Sequence, residues 1–444
     1  MTARVDTTRL PRMALRILRG PFLKNIAVLA SGTALAQVLT VLAYPILMRL
    51  FTPDQFGLFA LFGALNMTFV VVASGRYELA IVMAKTEQEA ANILALSLGI
   101  VAAVSILSVF AIWGFGDALL DLLGYQELSG LLWFLPLMIL TNTASQVLSV
   151  WATRQQLYKR LSMSTISRSF GVAAAQVAAG MVGMGVDGLV LGLIFGTVMG
   201  TVIVAWQLIR YDLPSLRQVI TRENMRRLAA KHRDFPLYSM PQALLSSTTV
   251  TVPSILLTAL FSPYVAGLYW FTYRLFEMPI TLLGDATRRV FYQRAAELFH
   301  KGEDLTTIFV RTTGGLAAMV ALPVLVLIVA APTLYAFAFG ETWREAGVFA
   351  QWIVVWWAMR FISLPALMLV PVLNLQRRFL VLEILTLIPR FMVLPAAAWV
   401  ANVDVAIAAY SVVGFSFHFF LVVLVWRAVR EHRAGLEASQ PSPA

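Results

Sequence analysis

The chain has 444 residues, of which 59% are hydrophobic and 13% charged, with a formal net charge of +11. A soluble domain carries about 25% charged residues, so the composition excludes one and leaves a multi-pass membrane protein with no stretch large enough for a separate soluble domain. There is no cysteine, which removes disulfides and thiol chemistry.

Residues 1–21 form a basic tail with Arg4, Arg9, Arg12, Arg16 and Arg19. Leu10, Met13, Ile17 and Leu18 alternate with them at helical spacing, which fits a short helix on an anionic membrane face; a basic tail that only sets orientation fits equally well. The apolar run that follows is too long for a secretory segment and reads as a retained first span. A spanning helix needs roughly 20 apolar residues. Spans are expected near 24–50, 55–75, 89–113, 128–152, 162–184, 187–209, 236–260, 264–286, 306–331, 346–373, 379–401 and 404–426.

Charge between these runs alternates. Arg76 and Lys85, then Arg154, Lys159 and Arg160, the run Arg210–Arg233, the run Arg288–Arg311, Arg377 and Arg378, and Arg427–Arg433 fall on one side. Asp54, Asp117, Asp121, Glu127, Asp187, Glu341, Glu345 and Asp404 fall on the other, with Arg344 the one clear basic residue there. Basic loops stay in the cytoplasm, so both termini are expected there. The positive charge is thus a topology signal, and no aromatic-basic motif points to nucleic acid.

The expected class is an all-α integral membrane protein with about twelve transmembrane helices in two six-helix bundles, N-in and C-in. Its parts are a basic cytoplasmic tail (1–21), an N-terminal bundle (22–209), a basic cytoplasmic linker (210–235), a C-terminal bundle (236–427) and a cytoplasmic tail (428–444). One stretch repeats between the halves. Arg49-Leu-Phe-Thr-Pro-Asp-Gln-Phe-Gly57-Leu-Phe59 returns as Ala259-Leu-Phe-Ser-Pro-Tyr-Val-Ala-Gly267-Leu-Tyr269, each copy ending one apolar run and starting another. An even number of spans per half makes this a parallel repeat.

Proline is concentrated in second-half spans, at Pro241, Pro253, Pro279, Pro323, Pro365, Pro371, Pro389 and Pro395, against Pro45 and Pro136 in the first half. These are sites of bending during a cycle or of static kinks. Gly171, Ala175 and Ala179, and Gly192, Gly196 and Gly200, stand at four-residue spacing and read as helix-packing stripes.

Charged residues inside spans are the functional candidates. Arg168, Arg274, Arg360 and Arg390 fall within spans and Arg49 at the end of the first. An arginine at mid-membrane costs about 2.5–3.5 kcal/mol on insertion scales, so these are expected to face an interior holding water, a counter-charge or an anionic ligand. Arginine's fork also suits phosphate. Glu277 lies one turn after Arg274, so a pair between them is expected. The alternative use for Arg360 and Arg390 is bonding to carbonyls freed by nearby prolines. Asp285 and His418 are further candidates for coupling to a proton or charge pair, although a lone histidine among aromatics is more often packing. Trp352, Trp356 and Trp357 offer either sugar stacking or packing. No phosphate-cradling Gly loop, metal cluster or catalytic constellation is present, so no metal, cofactor or catalytic residue is expected.

The Arg49–Gly57 stretch after a basic tail resembles the N-terminal signature of polysaccharide-export flippases, the Wzx-type O-antigen and capsule transporters of the multidrug/oligosaccharidyl-lipid/polysaccharide (MOP) superfamily. Gly267-Leu-Tyr-Trp-Phe-Thr-Tyr-Arg-Leu-Phe-Glu-Met-Pro279 resembles that family's second-half pattern. The resemblance covers roughly residues 20–430. It implies a MATE/MOP-like fold with two bundles facing a central cavity, alternating access, and a bacterial inner-membrane location. It also implies transport of an undecaprenyl-diphosphate-linked oligosaccharide between leaflets, for O-antigen, capsule or exopolysaccharide synthesis. H+ or Na+ coupling and contact with the glycan polymerase and chain-length machinery would follow. Rival readings are a cation-coupled multidrug exporter, a membrane glycan polymerase or ligase, and a non-transporting scaffold. The first span lacks the acidic residue usual in exporters, and the outer loops, about 14 residues at most, are short for a polymerase.

Overall fold

The computed structural model describes residues 21–212, 216, 218–399 and 402–439, with a few side chains within them, Asp285 and Arg289 among these, left out. The tail arginines Arg4 to Arg19, with Leu10, Met13, Ile17 and Leu18, Arg217 and residues 440–444 lie outside this description. Among the described residues there is no strand. The long helices are α1 (Pro21–Leu50), α2 (Pro53–Val72), α3 (Glu87–Leu123), α4 (Leu135–Arg154), α5 (Tyr158–Met181) and α6 (Gly185–Gln207), followed by a short linker helix α7 (Arg222–Lys231). Then come α8 (Met240–Leu260), α9 (Pro263–His300), α10 (Thr306–Phe339), α11 (Arg344–Ile362) with its continuation α12 (Leu364–Val372), α13 (Gln376–Ala398) and α14 (Val403–Ser439).

Nine of these segments are long and apolar enough to cross a membrane, and a tenth qualifies if the bent α8 region is one span. The two remaining long helices, α5 and α9, complete the twelve. They miss the apolar criterion because they carry the polar residues that matter below: Arg168 and Gln176 on α5, and Arg274 and Glu277 on α9. Helices α3, α9 and α14 outrun their predicted spans because helical hydrogen bonding continues past the apolar stretch into turns that carry charged residues, and α10 does so because its apolar run itself continues to Phe339.

Proline explains the bend in α8. Pro253 cannot donate to the carbonyl four residues back, at Thr249, and the two parts, Phe235–Thr248 and Val250–Leu260, meet at 45°. Pro136 and Pro365 instead stand in the first turns of α4 and α12, where the missing N–H is tolerated.

Contacts group the chain into two compact units: Met1–Phe51 with Phe62–Thr251, and Thr52–Leu61 with Val252–Ala444. In the first unit the two small-residue stripes face one another. A Cβ on Gly196 would fall 2.3 Å from the Val172 nitrogen, and one on Gly192 2.8 Å from the Gln176 nitrogen. The α5 and α6 backbones therefore touch, which only small residues permit. Ser164 Oγ and Gln176 Nε2 lock the seam by donating to the carbonyls of Gly200 and Leu189 at 2.6 and 2.8 Å.

In the second unit both copies of the repeated stretch are helix starts that cross. Thr52 caps α2 in a reciprocal box: its N–H donates to Gln55 Oε1 at 3.0 Å, and its hydroxyl accepts from the Gln55 N–H at 3.5 Å. Ser262 caps α9 by accepting from the Val265 N–H at 3.3 Å, and Pro53 and Pro263 each open their helix. A Cβ on Gly57 would lie 1.8 Å from the Pro263 carbonyl oxygen; one on Gly267 would lie 1.9 Å from the Pro53 carbonyl oxygen. Each glycine thus admits the other helix's first carbonyl. Phe56 then stacks on Trp270 with centroids 5.7 Å apart and meets the fully buried Trp343 edge-on at 5.5 Å. Trp343 is the packing floor of this crossing, while its neighbour Arg344 pairs with Glu341.

Candidate functional site: an arginine-carboxylate cluster

Tyr269, Tyr273 and Glu277 recur every fourth residue of α9 and so share one face. That face meets α11. Arg360 donates to both oxygens of Glu277, Nη1 to Oε2 at 2.9 Å and Nη2 to Oε1 at 3.4 Å. This is the fork geometry that makes arginine-carboxylate pairs strong. The same guanidinium lies over the Trp357 ring, 4.4 Å from its centroid. Tyr273 packs edge-on to Trp357 at 5.0 Å and stands within electrostatic reach of both Glu277 and Arg360. Arg360 and Glu277 keep 27% and 21% of their side-chain surface, so the pair is set into the protein without being sealed.

The expected one-turn pair between Arg274 and Glu277 is not formed. Residues three apart sit about 60° apart around a helix. Glu277 turns toward α11, where a fork satisfies both its oxygens, and Arg274 remains exposed. Nor does Arg360 bond to a proline-freed carbonyl; its partner is the carboxylate. Arg390 on α13 lies 5.7 Å from the Phe417 ring centroid, and its Nε is buried with no hydrogen-bond partner.

Ser363 stands at the break between α11 and α12. Its hydroxyl donates to the Arg360 carbonyl at 2.8 Å and lies 2.9 Å from His418 Nδ1. A hydroxyl has one proton. With that proton on the Arg360 carbonyl, His418 donates from Nδ1 and its Nε2 is the acceptor. His418 is thus tied to the backbone of the residue that holds Glu277. Trp356 and Trp357 are buried and pack against rings, whereas Trp352 is exposed. Trp356 lies flat on α14 because Gly414 has no side chain there: a Cβ would come within 2.4 Å of the indole.

In the first unit Arg168 donates from Nη2 to Asn142 Oδ1 of α4 at 2.8 Å. Arg49 is exposed at the end of α1. Asp285 lies on α9, but its side chain is outside the described residues. Among the described residues no group of three or more His, Asp and Glu side chains stands ready for a metal.

Sequence reading missed Asn142, Tyr273 and Ser363. A lone amide inside an apolar run and a serine two residues before a proline were the available signals. Arg154, read only as a topology charge, donates to the carbonyls of Ile81 and Ala84 at 2.9 Å each and so fastens the short helix Glu78–Met83 to the end of α4.

The comparisons bear on what such a bundle is for. Residues 46–348 match the model of the polysaccharide biosynthesis protein family. No curated relative matches the chain by sequence. Among solved structures it is similar to an inward-facing multidrug-resistance MATE family transporter of the MOP superfamily, at 12% identity over 91% of this chain and 96% of that one, with a TM-score of 0.67. An outward-facing MATE family transporter gives 15% identity, coverage of 95% and 98%, and a TM-score of 0.58. A MOP superfamily transporter from Pyrococcus furiosus, described as having a binding pocket of reverse polarity, gives the same four values of 15%, 95%, 98% and 0.58. At such identities the likeness establishes the fold, which is that of MATE/MOP transporters. With the family model spanning more than half of the sequence, the chain belongs to the polysaccharide biosynthesis protein family and is a multi-pass membrane protein with the fold seen in MOP superfamily transporters.

Proposed function

We propose that the protein is a flippase that moves an undecaprenyl-diphosphate-linked oligosaccharide from the cytoplasmic to the periplasmic leaflet of a bacterial inner membrane by alternating access, for O-antigen, capsule or exopolysaccharide synthesis. The observation that carries this reading is the Arg360–Glu277 fork, with Arg390 and Arg274 on neighbouring stretches and a net positive charge. A diphosphate offers the same paired oxygens as a carboxylate, with more negative charge. In this reading Arg360 exchanges between Glu277 and the diphosphate, and Glu277 takes it back when the product leaves. Arg49, Arg168, Arg274 and Arg390 are the further anion contacts, and His418 and Asp285 the candidates for coupling to H+ or Na+.

The far end of the second unit supports release. A cleft of about 390 Å³ there is lined by Tyr264, Glu345 and Asp404, so its rim is acidic where the interior is basic. An anion drawn in by arginine is repelled at such a rim. The cation-coupled exporter reading lacks a comparable observation, because α1 carries no Asp or Glu from Pro21 to Leu50.

The test is reconstitution in proteoliposomes with two substrates offered separately. Protein-dependent flipping of a labelled diphosphate-linked oligosaccharide is the expected result. Cation-driven efflux of small organic cations, with no flipping of the lipid-linked glycan, would overturn the proposal.

A further inference from the structure

The basic segment between α6 and α8 reads from sequence as a connector, yet it is strapped to the first unit. Asn92, 1% exposed, donates to the Val219 carbonyl at 2.9 Å and accepts from the Thr221 N–H at 3.0 Å. Lys231 pairs with Glu89 at 3.0 Å, the Tyr77 hydroxyl donates to the Ala229 carbonyl at 3.2 Å, and Trp151 Nε1 donates to Asp212 at 2.9 Å. Leu216 and Leu228 are buried beneath the strap. These contacts fix which side of α7 is left over. Arg222 and Arg226 lie about 40° apart around the helix and roughly 120–160° from Leu228. Both are exposed, as is Arg233 just beyond the helix, and none of the three pairs with a carboxylate among the described residues. Arg227 differs, since it contributes to the field at Glu89.

We infer that the outer face of α7, centred on Arg222 and Arg226, is a binding surface for anionic phospholipid headgroups of the cytoplasmic leaflet. The argument is positional and electrostatic. Both ends of the strap continue into spans, so the helix cannot leave the level of the headgroups. Tyr211, Leu237 and Tyr238, at 61%, 59% and 71% exposure, flank it with the residue types that settle at a membrane surface. The acids beside it, Glu223 and Asp234, are outnumbered by Arg222, Arg226, Arg227, Lys231 and Arg233. The inference is independent of the transported substrate.

Native mass spectrometry of the detergent-purified full chain, titrated with phosphatidylglycerol or phosphatidylcholine, tests it. Wild type is expected to prefer phosphatidylglycerol, and to lose that preference as salt rises. Arg222→Gln/Arg226→Gln should weaken phosphatidylglycerol binding roughly 25-fold, on the scale of two juxtamembrane basic residues, with phosphatidylcholine unchanged. Arg222→Lys/Arg226→Lys, which keeps the charge, should retain most of the preference. The control is Arg427→Gln/Arg430→Gln at the cytoplasmic end of α14. An equal loss in that control overturns the assignment to α7. So does a wild type with no lipid preference at any salt, or one that retains a diphosphate-linked lipid but not phosphatidylglycerol.

Discussion

Arg168 in the first unit and Arg360 in the second carry the same charge in different company. Arg168 meets the neutral amide of Asn142, beside a seam so tight that α5 and α6 touch backbone to backbone. Arg360 meets a carboxylate, an indole face and a tyrosine, with a serine tying its own carbonyl to a histidine. An amide orients a guanidinium without neutralising it. A carboxylate neutralises it and can be displaced by a stronger anion. The second arrangement therefore suits exchange.

The comparison breaks most severely where the second unit is assembled. Gly57→Leu and Gly267→Leu each drive a side chain into a backbone carbonyl, and overpacking of this kind costs about 3 kcal/mol or more. Thermal unfolding in detergent should show a large loss of folded protein for either variant, whereas Gly63→Leu, whose Cβ would meet nothing within 4 Å, should be nearly silent. Glu277→Gln comes next. It strands Arg360 without its counter-charge, at about 3 kcal/mol for a buried pair and less for one this exposed. The double variant Glu277→Gln/Arg360→Met should recover part of that loss, which a double-mutant cycle reads directly. Asn142→Ala should cost about 1.5–3 kcal/mol, the range for a hydrogen bond to a charged group. If it equals Glu277→Gln, the distinction between the two arginines fails.

The smallest effect is a pH dependence of the strap. Burial first, and then the neighbouring Lys231, push the His232 imidazole below its ordinary value. The folded strap therefore binds fewer protons than the unfolded chain between its lowered value and about 6.5. Docking is undiminished above that pH and weakens as pH falls through it. Hydrogen-exchange protection of residues 222–231, corrected for the pH dependence of intrinsic amide exchange, should fall on going from pH 7.5 to 5.5 in wild type and change less in His232→Gln.

Span number and the repeat were legible because hydropathy and a short sequence echo are local properties. The meaning of the repeat was half legible: Thr52-Pro53 and Ser262-Pro263 read as helix starts, but that Gly57 and Gly267 cradle each other's neighbouring helix is a fact of tertiary packing. The partner of Glu277 was not legible for the same reason. Spacing brings Arg274 within one turn, and only the rotation of α9 against α11 decides for Arg360. The strap was read as a linker because its tethers, Asn92, Glu89, Tyr77 and Trp151, lie 61 to 152 residues away in sequence.

The most direct test of the exchange site is flipping of a labelled diphosphate-linked oligosaccharide in proteoliposomes by wild type, Arg360→Ala and Arg274→Ala, each matched for folded protein. The account predicts that Arg360→Ala abolishes transport and that Arg274→Ala keeps most of it. Transport by Arg360→Ala at the wild-type rate would contradict it.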